Sequence, residues 1–283
     1  MPSLPIKTYC IIGDPVEHSL SPIMQNSAFA FLGINSSYFS FRVPHGDLKQ
    51  SIESLKSIGI DGFNVTIPHK ISILKYLDKL DQTAITTNAV NTVNNEEGNL
   101  IGYNTDLYGF IKPLHERNLN FNGINILIIG AGGAAHAIMT ALSYEKGISQ
   151  VIVVNRSSAN TLALVNHGLK LGINCYGESF NNLSKSTFKS DLIINATSIG
   201  LKEDEASPVD PKFIKPNTIV YDIIYKPVYT DLLKKAKVAN AKVVFGYEML
   251  IAQGAQAFKI WTGLDAPIDV MKKALFGIFG APE

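Results

Sequence analysis

Ile124-Asn125-Ile126-Leu127-Ile128-Ile129-Gly130-Ala131-Gly132-Gly133-Ala134-Ala135 is the stretch on which the fold turns. Its first half, Ile124 to Ile129, is an apolar run that suits a strand buried on both faces of a parallel sheet. Its second half reads as G-x-G-x-x-A and opens a helix expected from Ala134 to Tyr144, which is the context of a dinucleotide fingerprint. The first two glycines allow a tight turn and close backbone approach, and Ala135 is small enough for helix–strand packing. The helix N-terminus offers free N–H groups and positive dipole charge to a pyrophosphate. A turn needing positive φ would also account for glycine. The strand, turn and helix together favour the cofactor reading, with Gly130, Ala131, Gly132, Gly133 and Ala134 as its residues.

The next strand, Val151 to Asn155, decides between nicotinamide cofactors. An NAD site ends that strand in Asp or Glu, which accepts from the ribose 2′-OH. Here the strand ends in Asn155-Arg156-Ser157-Ser158. Arg156 would attract a 2′-phosphate and could stack on the adenine, whereas a carboxylate would repel the phosphate. The position favours NADP, with Arg156 as the contact.

Outward from there, helix and strand alternate as in α/β folds: a helix at 159–167 and strands at 192–195 and 218–222. Before the fingerprint, strands are expected at 9–13, 38–43 and 62–67 and helices at 22–32 and 47–57, Ser21 serving as N-cap and Pro22 as the first helical residue. Asn94 to Gly98 suits a hairpin loop between strands at 89–93 and 100–103. Helices at 248–261 and 268–279 are too few for a third domain. The expected division is a substrate domain over 1–106, completed by 244–283, and a Rossmann nucleotide domain over 107–243.

The chain has 283 residues, 46% hydrophobic and 17% charged, with a formal net charge of +1. That describes a globular protein without the basic surface of a nucleic-acid binder or an anionic-membrane binder. Neither a leader at Met1-Pro2-Ser3-Leu4-Pro5 nor a membrane span is expected. Two cysteines, Cys10 and Cys175, give no metal spacing, so no metal site is expected, and a reducing, cytoplasmic compartment is the simpler reading.

Three polar clusters fall at the ends of expected strands, where open α/β sheets bind ligands. Ser19-Leu20-Ser21-Pro22 places two hydroxyls at a helix N-terminus, suited to a carboxylate. Asn64-Val65-Thr66-Ile67-Pro68-His69-Lys70 is the second. Asn91-Thr92 with Gly102-Tyr103-Asn104-Thr105-Asp106 is the third. Short, rigid hydrogen-bonding side chains suit a polyol. Hydride reduction of a ketone leaves an alkoxide that must gain a proton, so a cation near that oxygen both stabilises the transition state and delivers it. Lys70 is one candidate, with Asp106 able to aim it. His69 and His18 are others, unranked by the residues alone.

Taken in order, these motifs resemble the shikimate dehydrogenase family. The likeness rests on Gly13 to Val16, His18 to Pro22, Asn64 to Lys70, Ala89 to Thr92, Gly102 to Asp106, Gly130 to Ala135, Asn155-Arg156, Asn195 to Gly200, Asp222 to Pro227 and Met249 to Gly263. The resemblance implies NADP-dependent reduction of 3-dehydroshikimate to shikimate, with Lys70 as acid/base and Asp106 beside it. It implies Ser19, Ser21, Thr66, Asn91, Asp106, Tyr225 and Gln253 as substrate contacts. Asn155, Arg156, Thr197, Ile223 and Gly246 join the glycine loop as cofactor residues. The family fold is an α/β substrate domain completed by C-terminal helices plus a Rossmann domain, with the active site in the cleft, as a monomer or homodimer.

Four departures stand out. Gln25 replaces a frequent His, Asn88 a usual Gly, and His136 a common Arg, while Ala159 and Asn160 stand where a second base often follows Asn-Arg. The last implies a weaker 2′-phosphate clamp. The alternatives are a quinate/shikimate relative using NAD or both cofactors, a non-catalytic NADP-binding regulator, and a two-domain dehydrogenase acting on a folate.

Overall fold

The computed structural model describes residues 6–185, 188–202 and 205–281; Met1 to Pro5, the stretch read for a leader, lies outside them. The described residues through Asp106 form one compact unit with Ile251–Ala281, and Leu107–Leu250 form another. The chain is α/β in both.

The first unit opens with β1 (Lys7–Gly13), α1 (Ser21–Phe31), β2 (Ser36–Arg42), α2 (Leu48–Ser57) and β3 (Gly62–Val65). It continues through β4 (Lys79–Leu80), α3 (Gln82–Thr87), β5 (Thr92–Glu96) and β6 (Asn99–Tyr103). The sheet order is β2-β1-β3-β5-β6-β4; β2, β1 and β3 run parallel, and β5 is antiparallel to both neighbours. Alternation along β1 sorts the two faces. Cys10 and Ile12 join a core with Phe63, Val65 and the Leu48, Ile52, Leu55 stripe of α2, whose spacing is that of one helical face. On the opposite face Tyr9 stacks on Phe29 of α1 and on Trp261, and Trp261 Nε1 donates to the Val93 carbonyl at 3.0 Å.

Two local expectations are corrected. Helix α1 begins at Ser21 itself, with Leu20 as N-cap and no side-chain cap there. The free N–H of Ser21 donates to Ser19 Oγ at 3.3 Å, so the earlier serine does the capping, while Ser21 itself is buried. The hairpin loop is also shorter than expected: Asn94, Asn95 and Glu96 are strand, and only Glu97 and Gly98 turn, both at positive φ. Such two-residue turns match the strand twist. The Asn95 amide holds this one, its oxygen accepting from Gly98 N and its nitrogen donating to the Ile60 carbonyl.

The second unit contains α4 (Asp106–Glu116, its first residue closing the first unit), β7 (Asn125–Ile129), α5 (Gly133–Ser143), β8 (Gln150–Val154), α6 (Ser158–Lys170), β9 (Cys175–Glu178) and α7 (Phe180–Lys185). Then come β10 (Leu192–Asn195), β11 (Ile219–Asp222), α8 (Asp231–Val238), β12 (Lys242–Val244) and the start of α9 (Gly246–Thr262); the rest of α9 from Ile251 and α10 (Ile268–Phe279) belong to the first unit. All six strands are parallel in the order β12-β11-β10-β7-β8-β9. This is doubly wound topology, whose order reverses at β7 and β10. Ile126, Leu127, Ile128 and Ile129 are fully buried, as are Leu192 to Ile194 beside them. Arg117 closes this unit's lower rim with a paired contact to Glu248, at 2.8 and 2.9 Å.

Candidate active site

In the first unit, the end of β1 must admit the loop that follows β3. A Cβ on Gly13 would collide with Thr66 and the Ile67 carbonyl, and the Asp14 N–H instead donates to Ile67 O at 2.8 Å. The loop is then fastened from the other side, where Val90 N donates to Lys70 O at 2.8 Å. That brings Lys70 beside Asn91.

Lys70 Nζ lies 2.5 Å from Asp106 Oδ2. The other oxygen, Oδ1, accepts from Asn91 Nδ2 at 2.8 Å, and the same amide nitrogen reaches Gln253 Oε1 at 3.4 Å. Asn104 Oδ1 accepts the Asp106 N–H at 3.0 Å. Behind the pair the hydrogen bonds continue inward. Thr105 N donates to Asn91 Oδ1, Asn64 Nδ2 donates to Thr92 Oγ1, and Tyr38 OH donates to Asn64 Oδ1 at 2.6 Å. Burial pushes the Tyr38 phenol well above its ordinary range, so it stays a donor and fixes the Asn64 amide. Apart from half-buried Gln253 these residues are buried, while the Lys70 side chain keeps 30% of its surface exposed. The cation faces outward from a satisfied polar wall, an arrangement able to hold a proton donor in one place.

The two histidines separate from Lys70 by geometry. His69 is fully buried, and its Nε2 sits 2.6 Å from the Val43 carbonyl; a carbonyl only accepts, so that nitrogen carries the hydrogen. His18 is exposed and takes no part in the hydrogen bonds around Lys70 and Asp106. Of the expected substrate residues, Lys70, Asn91, Asp106 and Gln253 meet in one network. Ser19 and Ser21 stand at the start of α1, and Thr66 lies half-buried on the Lys70 loop. Tyr225 belongs to the second unit, half-buried, its phenol raised by burial. Sequence reasoning gave Asn64, Thr92, Asn104 and Thr105 only as members of clusters suited to a polyol, and it missed Tyr38, whose strand position is that of an ordinary core aromatic.

Two departures have structural reasons. Gln25 is fully buried and its Nε2 donates to the Gly254 carbonyl at 2.9 Å, tying α1 to α9 next to Gln253. Asn88 caps α3 at φ 50, a left-handed position that Asn tolerates almost as well as Gly.

In the second unit, Gly130 has φ +104, and a Cβ there would sit 2.8 Å from Ala196 O. Only glycine lets β7 turn against the end of β10. Cβ atoms on Gly132 and Gly133 would meet nothing within 4 Å, so the loop backbone and the first N–H groups of α5 stand open to a ligand. Ala135 is fully buried behind them. Arg156 is exposed, and Ser157 Oγ caps α6 by accepting from Asn160 N at 3.3 Å. An open cradle, a helix N-terminus, an arginine and no strand-end carboxylate fit the pyrophosphate and 2′-phosphate of NADP.

A sealed network shapes the neighbouring loops. Asp222 accepts from Asn195 Nδ2 at 3.0 Å, Ile224 N at 3.1 Å and Thr230 Oγ1 at 2.7 Å. Asn195 in turn accepts from Thr197 N and Oγ1 at 3.1 and 2.7 Å. Burial raises the Asp222 carboxyl to about 6, against the lowering effect of those hydrogen bonds. Ile223 packs against the core of the unit, and a Cβ on Gly246 would overlap the Ile224 backbone.

No helix among the described residues is long and apolar enough to cross a membrane, and no group of three or more His, Cys, Asp or Glu that could hold a metal occurs among them. Residues 11–93 match the shikimate dehydrogenase substrate binding domain, 114–211 the shikimate/quinate 5-dehydrogenase family, and 246–276 the shikimate 5′-dehydrogenase C-terminal domain. The chain is 46% identical over 273 residues to the shikimate dehydrogenase (NADP(+)) of Nitrosopumilus maritimus, covering 96% of this chain and 99% of that one. A crystal structure of a shikimate dehydrogenase in complex with NADP+ aligns with TM-score 0.90 at 42% identity, over 98% of this chain and 96% of the other. The Thermus thermophilus enzyme in complex with NADP(H) and shikimate aligns at 0.85 and 34% identity, over 95% and 98%.

Proposed function

This chain belongs to the shikimate dehydrogenase family, and from that premise we propose that it reduces 3-dehydroshikimate to shikimate with NADPH, reversibly, in aromatic amino acid biosynthesis. When bound, NADPH supplies a hydride to the ketone carbon. Lys70 supplies the proton: its ammonium hydrogen-bonds the ketone oxygen and passes a proton to it as the alcohol forms. In the oxidative direction Lys70 takes that proton back. Asp106 keeps the ammonium aimed, and Asn91 keeps Asp106 in place.

Ser19 and Ser21, at the N-terminus of α1, take the substrate carboxylate. Thr66, Asn91, Asp106, Tyr225 and Gln253 take its hydroxyls. Gly130 to Ala134 hold the pyrophosphate, Asn155, Arg156 and Ser157 the phosphorylated ribose, and Thr197, Ile223 and Gly246 line the remainder. In this reading residues 1–106 with 244–283 form the substrate domain and 107–243 the cofactor domain. Two buried free cysteines suit a reducing, cytoplasmic setting, where the protein acts as a monomer or homodimer. The absence of a base at Ala159 and Asn160 favours a second reading, in which NAD also serves and quinate is also turned over.

The observation that carries the proposal is the 2.5 Å Lys70–Asp106 pair on its wall of satisfied amides. Replacing Lys70 by Ala should lower kcat for shikimate oxidation by about 10²–10⁴, the span of a lost general acid/base, with a far smaller change in KM. A variant with near-normal kcat would remove Lys70 from the mechanism.

A further inference from the structure

Helix α5 opens at Gly133 and carries His136 within its first turn. Helical side chains lean toward the N-terminus, and this ring does so: Nδ1 lies 3.1 Å from the Gly132 carbonyl oxygen. A carbonyl only accepts, so Nδ1 bears the hydrogen and Nε2 keeps the lone pair that can take another. The ring is half-buried and bound to the residue whose Cβ position is open space at the mouth of the glycine loop.

Its titratable neighbours on α6 are basic. On α6, His167 lies 5.3 Å away ring to ring. The Thr140 hydroxyl donates to His136 O and therefore accepts from His167 Nε2 at 2.8 Å. Burial first, then the neighbouring His136 and Lys170, hold His167 below its ordinary range. No carboxylate pairs with His136 among the described residues. A proton on its Nε2 would also stand beside the positive end of the α5 dipole. An anion lying on the glycine loop adds the negative charge that these surroundings lack.

We propose that His136 is a cofactor-binding residue, held by Gly132 over the glycine loop, that takes up a proton as the pyrophosphate binds. The proposal rests on the reading of this loop as the NADP site. Its consequence is linkage: cofactor binding is tighter at low pH, and the proton is counted on the protein rather than on the ligand.

Isothermal titration with NADPH, near pH 7 in PIPES and in Tris, measures proton uptake from the dependence of the heat on the buffer. Kd is then compared at pH 6 and pH 8. The wild-type chain should take up part of a proton that His136→Gln does not. Its affinity should rise toward pH 6 by about threefold more than the variant's, the scale of one charge near a helix N-terminus. His136→Arg should bind at pH 8 at least as tightly as wild type does at pH 6. The 2′-phosphate titrates alike in all three proteins and cancels. Equal uptake and parallel pH dependence in wild type and His136→Gln would overturn the role of His136 while leaving the cofactor site intact. No NADPH binding by the wild type would overturn the cofactor reading itself.

Discussion

Each unit of this chain buries a carboxylate at the carboxyl end of its sheet, and the two are built for opposite ends. Asp106 retains 8% exposure and faces the Lys70 ammonium; Asp222 has none and meets only neutral donors. A buried carboxylate with a cation and an opening can steer a proton. A sealed one held by Asn195, Thr230 and a backbone N–H instead fixes the shape of two loops, and desolvation raises it to about 6. In the first unit the cation is part of the wall, whereas in the second it stays outside, on the exposed Arg156. Strand-end position alone therefore does not mark a catalytic acid; the partner and the access to solvent do.

The sharpest way to break this contrast is to remove the two carboxyl charges separately. Asp106→Asn should lower kcat by about 10²–10³, comparable to loss of an electrostatic partner in a catalytic site, while Asp222→Asn should leave kcat within a few fold. Equal losses in both variants would erase the distinction. Stability should separate them in the other direction. Because Asp222 is raised when folded, the native state holds its proton more tightly, so this group's contribution grows as pH falls from about 6 toward 4 and is absent above that window. The gap from the ordinary carboxylate value corresponds to at most about 3 kcal/mol. Urea unfolding of wild type and Asp222→Asn at pH 4.5, 6 and 7.5 should show their difference widening toward acid; parallel curves would contradict the burial account.

The smallest expected effect concerns the external cation. Arg156→Ala should raise the KM for NADP by about tenfold, the weight of a charge-assisted hydrogen bond, and barely change that for NAD. A similar rise for both would make Arg156 a structural residue.

The two units also differ in how far their chemistry could be read from residues alone. The β7–α5 unit was legible because a parallel strand is apolar on both faces and its glycine loop is contiguous, so periodicity and punctuation point the same way. The shorter pieces around it, β9, α7, α8 and β12, are three to eight residues long and too brief for a period to emerge. In the first unit β4 and α3 escaped for the same reason, and the Asn94 to Gly98 segment misled because polar composition outweighed the two-residue turn. The Lys70–Asp106–Asn91 network spans 36 positions and draws on three loops. Local pattern offered the residue types, and only the ordered family motifs tied them together. Tyr38 was invisible as a polar partner because its hydroxyl reaches Asn64 across the intervening strand β1 and not through sequence proximity.

The most direct test is oxidation of shikimate and of quinate, each with NADP and with NAD, followed by absorbance of the reduced nicotinamide. Strong turnover of shikimate with NADP, and much weaker signals in the other three, is the result this account predicts. Absence of turnover with shikimate and NADP would contradict it, and turnover led by quinate or by NAD would assign the chain to a different branch of the family.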